Sequence, residues 1–256
     1  MHKVYVILLF VMLACLGCEW RLRNDLVHQE PETFVERYDK IEAFFLTTGD
    51  FSALQQMQTQ YPMQTRRLIE DVLRLGKMED AYIKTRFFNY YQDSTLQMLI
   101  AEVGSQYDEM DDVDQRLEEV FTKLRELVPE AKIPQIYTQI GSLDQSICVG
   151  DGVLGISLDK YLGADYPLYI KYGYTERQRN TMMRSSIAPD CLCFYLLSLF
   201  PFRDNIDKEH RDIHMGRIQL VANVVLDEPI FKNDYVDSAR QEMDSGELTY
   251  TDLLKL

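Results

Sequence analysis

Residues 134–163, PQIYTQIGSLDQSICVGDGVLGISLDKYLG, decide the fold, because they read as paired strands while helical patterns flank them on both sides. Ile133 to Ile140 is rich in β-branched and aromatic residues, and Gly141-Ser142 punctuates it. Ser146 to Val149 is a second short run, Gly150-Asp151-Gly152 is a turn signal, and Val153 to Leu158 returns as a strand. The last two runs predict a hairpin whose glycines supply positive φ without steric cost. Ser157 to Gly163 is a polar and aromatic corner that leaves the sheet.

Working outward towards the N-terminus, helical spacing predominates. Pro31-Glu32-Thr33 opens a first helix, with Phe34, Tyr38, Ile41, Phe44 and Phe45 on one face. Gly49-Asp50 stops it, and Phe51 to Tyr61 and Gln64 to Leu75 predict two more, split at Tyr61-Pro62. Ala81 to Val103 predicts an aromatic-rich helix. Asp111 to Val128 is the clearest amphipathic one, with Val113, Leu117, Val120, Phe121, Leu124 and Leu127 in a stripe. Its opening acids, Asp111, Asp112 and Asp114, stand where the helix dipole favours negative charge.

Beyond the strands, Thr175-Glu176-Arg177-Gln178 has the pattern of a capping box. Arg177 to Phe200 predicts a helix interrupted at Ala188-Pro189-Asp190. Lys208 to Leu226 and a run from Pro229 to Met243 follow, then a short tail, Leu248 to Leu256. The expectation is therefore an α+β protein, mostly helical with a small central sheet. One globular domain spans 31–256, divided into a helical layer (31–130) and the sheet with its later helices (131–256).

The first residues bear on compartment. Met1-His2-Lys3 is a thin basic start, Val4 to Leu13 is apolar, and Ala14-Cys15 and Gly17-Cys18 each place a small residue before cysteine. The apolar run falls short of the roughly 20 residues of a membrane-spanning helix. Residues 1–17 thus read as a signal peptide with a lipobox-like end. Cys18 is the preferred lipidation site, Cys15 the second choice, and 18–30 a polar tether. Removing 1–17 takes away one lysine and no acid, so a net charge of −14 becomes −15. Such an acidic surface argues against a nucleic-acid partner and leaves membrane contact to the lipid.

Several candidate constellations remain. Cys148, Cys191 and Cys193 read as buried thiols, with a Cys148 bridge to one of the pair or a metal site as the alternatives. A zincin needs two histidines one turn apart and a glutamate beside the first, so that both imidazoles face one metal and the carboxylate takes a proton from its water. His210-Arg211-Asp212-Ile213-His214 has the spacing, but Arg211 stands where the glutamate belongs; Glu209 and Asp212 are nearby acids, and His28 lies in the tether. Two solvated histidines are the expectation, with no catalytic or metal residue and no cofactor. Ser185-Ser186 has no histidine and aspartate within sequence reach, and Gly150-Asp151-Gly152 lacks the helix that follows a phosphate loop. Asp159, Lys160 and Tyr161 make either a structural corner or the lining of a pocket, and Tyr161, Tyr166, Tyr169, Tyr172 and Tyr174 make either core or a partner surface.

The lipobox-like start, Val35 to Lys40, Tyr61-Pro62, Ser157 to Gly163 with Tyr166-Pro167-Leu168-Tyr169 behind it, and Ile187-Ala188-Pro189-Asp190 together resemble the GldB family of gliding-motility lipoproteins of Bacteroidetes. The resemblance implies a membrane-anchored envelope lipoprotein, on the periplasmic face or at the outer membrane, working with the proteins of a gliding and secretion apparatus. It also implies a remote, degenerate likeness to zincin-type peptidases. It carries no catalytic residues. A non-enzymatic scaffold is the expectation, and a zincin-like peptidase or its inactive descendant the alternative.

Overall fold

In the computed structural model, residues 34–256 are described apart from 151, 204 and 247. The signal peptide, Cys15, Cys18, the tether with His28, and the helix opening at Pro31-Glu32-Thr33 lie outside the described residues.

Four strands form one mixed sheet in the order β1-β2-β4-β3: β1 (Val35–Glu36), β2 (Gln135–Gln139), β3 (Ile147–Gly150) and β4 (Val153–Ser157). β2 and β4 run parallel, with Ile136 opposite Leu154 and Gln139 opposite Ser157, while β3 and β4 form the predicted antiparallel hairpin. Every residue of β4 is buried, as a central strand covered on both faces requires. Gly150 and Gly152, at φ 157° and 78°, supply the backbone that the hairpin turn needs.

The sheet borrows its fourth strand from the N-terminal part, where the apolar spacing predicts helix. Val35–Glu36 instead pairs in parallel with Ile136 and Tyr137. The Asp114 carboxylate, in the first turn of the amphipathic helix, accepts the N–H groups of Phe34 (3.2 Å) and Val35 (2.7 Å). A distant side chain thus draws these residues into an extended path, and α1 (Tyr38–Thr48) begins after them.

α2 (Phe51–Gln60) is capped by Asp50, and α3 (Pro62–Arg67) starts on proline and runs into a wider turn over Leu68–Val72. The single helix expected over 81–103 is two, α4 (Ile83–Tyr90) and α5 (Ser94–Gln106). Asp93 divides them, because its carboxylate accepts the N–H groups of Thr95 and Leu96 and so makes a new N-cap. α6 (Asp111–Leu127) buries the predicted stripe from Val113 to Leu124.

After the sheet, α7 (Pro167–Lys171) and the one-turn α8 (Glu176–Arg179) follow, the latter with the predicted capping box on Thr175 and Gln178. Pro189 does not interrupt its helix. It is the third residue of α9 (Ile187–Leu199), where the missing N–H would have no intrahelical partner, and the break falls earlier, at the tight turn Arg184–Ser186. α10 (Lys208–Leu226) matches its expected bounds. The following helix starts at Asp234 and not at Pro229, because Asn233 caps it: α11 spans Asp234–Ser245. The tail is itself helical, α12 (Tyr250–Lys255), with Leu253 and Leu254 buried.

Helix α1 packs on β2, α9 on β3 and β4, and α10 on α6, α9, α11 and α12. Residues Phe34–Leu256 form one compact unit around this core. No helix among the described residues is long and apolar enough to cross a membrane.

Candidate functional site

The carboxyl ends of parallel strands are where open sheets present loops for binding, so the corner after β2 and β4 is the first place to look for chemistry. There the Asp159 carboxylate, fully buried, accepts the N–H groups of Gly141 (2.6 Å) and Leu143. Burial raises its pKa, and these two N–H groups and the Lys160 ammonium pull it back. Glu42 on α1 is also fully buried and accepts the Ile140 N–H at 2.9 Å. Burial pushes its carboxyl well above the usual range, with Asp159 and Asp39 adding to the rise and the Ile140 N–H offsetting part of it.

Tyrosines tie down the carbonyls of this corner. Tyr91 donates to Ile140 O (2.5 Å), Tyr107 to Tyr161 O (2.6 Å) and Tyr169 to Asp159 O (2.6 Å), while Tyr169 also accepts the Leu162 N–H. Of the tyrosine cluster, Tyr161 and Tyr169 are core, Tyr166 and Tyr174 are half-buried, and Tyr172 is exposed. Asp159, Lys160 and Tyr161 accordingly form a structural corner: the acid is spent on backbone N–H groups and the Tyr161 hydroxyl on Asp190.

Asp190 is a group that the sequence offered as part of a helix break and of one motif of the family resemblance, not as a titrating site. It lies at the start of α9 in a cleft of about 670 Å³, between Met183, Pro189, Ile230 and Phe231. The Tyr161 hydroxyl donates to it at 2.8 Å. Burial raises its carboxyl to about 6, against an ordinary 3.8, and the tyrosine bond offsets part of that rise. Ser185 and Ser186 line the same cleft beside Arg184, whose guanidinium is taken by Asp112 at 2.9 Å. His210 and His214 face a different cleft, so among the described residues the serines have no histidine to activate them.

That second cleft, about 620 Å³, lies between α10, the end of α9 and α12. His210 is exposed and its Nδ1 pairs with Asp207 Oδ1 at 2.7 Å, the same carboxylate that caps the helix. His214 Nε2 lies 2.7 Å from Phe200 O. A carbonyl can only accept, so Nε2 carries the proton and is turned away from metal binding. Asp212 lies against the Tyr235 hydroxyl, and Arg217 is paired with Glu242 at 2.9 Å. Among the described residues no three His, Cys, Asp or Glu side chains converge as a metal site.

The three described cysteines are free: Cys148 and Cys191 are buried, and Cys193 is half-buried. Burial pushes all three thiols up, which keeps them protonated and poor nucleophiles. Asn223 bonds both the N–H and the carbonyl of Phe231 and fixes the turn after α10.

Neither a curated protein nor a solved structure matches the chain. A family model does, that of the gliding motility protein GldB, over residues 19–231. The match takes in the tether, the whole sheet and the helices up to α10, and leaves α11 and α12 beyond its end. The order of motifs around the sheet and this match over most of the length lead to one conclusion: the chain belongs to the GldB family of gliding-motility lipoproteins.

Proposed function

We propose that the protein is a non-enzymatic lipoprotein of the cell envelope, anchored through Cys18, that serves a gliding and secretion apparatus as a scaffold or assembly component. Family membership over residues 19–231 carries this reading. With a net charge of −14, its contacts in the envelope are made with proteins and through the lipid, not with nucleic acid.

The histidine geometry supports the absence of metal-assisted hydrolysis. One imidazole is engaged by a capping aspartate, the other donates its Nε2 proton to a carbonyl, and the fixed charge of Arg211 between them disfavours a dication. The double variant His210→Ala, His214→Ala is expected to fold and to restore gliding in a deletion background at wild-type level, and the purified parent to carry less than stoichiometric zinc. Affinity purification of the lipidated protein from envelopes should bring down proteins of the apparatus. Stoichiometric zinc with a chelator-sensitive peptidase activity that the double variant lacks would replace this reading by the zincin-like one.

A further inference from the structure

A third cleft, of about 530 Å³, opens beside the loop that follows β2 and is used by nothing described above. Its walls include Tyr90, Tyr172 and Tyr174, and its rim carries Arg74, Ser142 and Asp144. Tyr172 is 57% exposed and Tyr90 38%, so both rings present surface to a ligand. Tyr90 and Tyr174 are held by polar contacts: the Tyr90 hydroxyl meets Ser142 Oγ at 2.9 Å, and the Lys160 ammonium bonds the Tyr174 hydroxyl at 3.0 Å while lying 4.6 Å from the centre of its ring. The Lys171 ammonium lies 5.9 Å from the centre of the Tyr172 ring, over one of its faces.

The backbone around the cleft is strained. Arg74, Ser142 and Leu143 all line it, and all have positive φ (52°, 55° and 63°), a conformation that non-glycine residues hold only where the surroundings impose it. For Ser142 and Leu143 the imposing group is Asp159, which gathers the N–H groups of Gly141 and Leu143 and so turns the loop outward. Arg74 and Asp144 are exposed, and neither side chain makes a hydrogen bond or ion pair among the described residues. Arg66, Arg86, Arg116 and Arg184 are each paired with an acid, whereas Arg125, Arg177, Arg211 and Arg240 are exposed and, among the described residues, unpaired like Arg74. What sets residue 74 apart is that its guanidinium shares a cleft with exposed aromatic rings.

Flat aromatic faces flanked by a free guanidinium, a free carboxylate and a hydroxyl suit one chemistry in particular. A pyranose ring lays its C–H face on an aromatic ring, through weak contacts between polarised C–H groups and the π face. Its equatorial hydroxyls then accept charge-assisted hydrogen bonds from a guanidinium and donate them to a carboxylate. Opposite charges at the rim favour a neutral sugar over an acidic one. A nucleic acid would be repelled by the net charge of −14. We propose that this cleft binds a neutral oligosaccharide of hexopyranose units, with Tyr172 as stacking platform and Arg74 and Asp144 as hydroxyl ligands.

The test is titration calorimetry on the full-length protein in detergent, with cellotriose, maltotriose and triacetylchitotriose as probes and a proline-rich decapeptide as the competing class. At least one trisaccharide should bind with a Kd below about 1 mM. Tyr172→Ala and Arg74→Asn should each weaken it about ten-fold or more. Both positions are exposed, and asparagine tolerates the left-handed backbone at 74, so the thermal unfolding midpoint should stay at the parent value. His210→Ala, in the other cleft, should bind as the parent does. The proposal fails if no trisaccharide binds in this range, if binding is indifferent to both cleft substitutions, or if the peptide alone binds in a manner that Tyr172→Ala abolishes.

Discussion

Asp190→Asn should make the protein more stable at neutral pH and leave it no more stable in acid. The carboxyl sits in the cleft at the start of α9 with one strong partner, the Tyr161 hydroxyl, and burial raises it from 3.8 to about 6. A raised acid pKa means that the folded state prefers the protonated form. Its contribution is therefore fully present below about 3.8 and is lost as the pH climbs through about 6. The gap is roughly two pH units, so the folded protein gives up about 3 kcal/mol at this site between pH 3.5 and pH 8. The amide copies the protonated acid in shape and charge, and its oxygen still accepts from Tyr161. Urea unfolding of parent and variant at pH 4 and pH 8 reads the effect directly, since the difference between the two pH values cancels the other titrating groups. The stability gap should move in favour of the variant by about 2–3 kcal/mol from acid to base. A gap that is the same at both pH values would show that Asp190 titrates as an ordinary solvent-exposed acid, and the cleft reading would fall with it.

Two further outcomes can be tested, one drawn from the structure and one from the sequence. Gly155→Ala would place a methyl group 2.6 Å from the Tyr137 ring, which is fully buried and packed edge-on against Tyr38 at 6.2 Å, so the ring has nowhere to retreat. A loss of about 1–3 kcal/mol in urea unfolding is expected, and an unchanged midpoint would mean that the sheet can open there. Cys18→Ser should abolish fatty-acid labelling and release the protein from the membrane; labelling that survives it and vanishes with Cys15→Ser would move the anchor to the earlier cysteine.

Much of the architecture was legible because it depends on local chemistry. The hairpin follows from glycines flanking residue 151, α6 from its stripe and its opening acids, and the cap of α8 from a Thr and a Gln three residues apart; each is decided within a turn or two of chain. The resemblance to GldB was legible for a related reason, since it is carried by short motifs in a fixed order. Where the reading of the sequence went astray, a distant group had intervened. Val35 and Glu36 have helical spacing, yet a carboxylate 79 positions away and an edge of β2 make them a strand. Asp93 looked like one more polar residue in a long helix until its carboxylate had N–H groups to cap.

The site divides in the same way. The sequence by itself determined which residue types were available, including the histidine pair with arginine in place of the glutamate. Only the tertiary structure decided what they face. It turned His214 onto a carbonyl, set Asp190 in a cleft beneath Tyr161, and brought Arg74, Tyr90, Asp144 and Tyr172, drawn from four separate segments, around one opening. The physical reason is that a side chain's acidity and reach depend on burial and on its neighbours in space, and neither quantity is written in the spacing of residues along the chain.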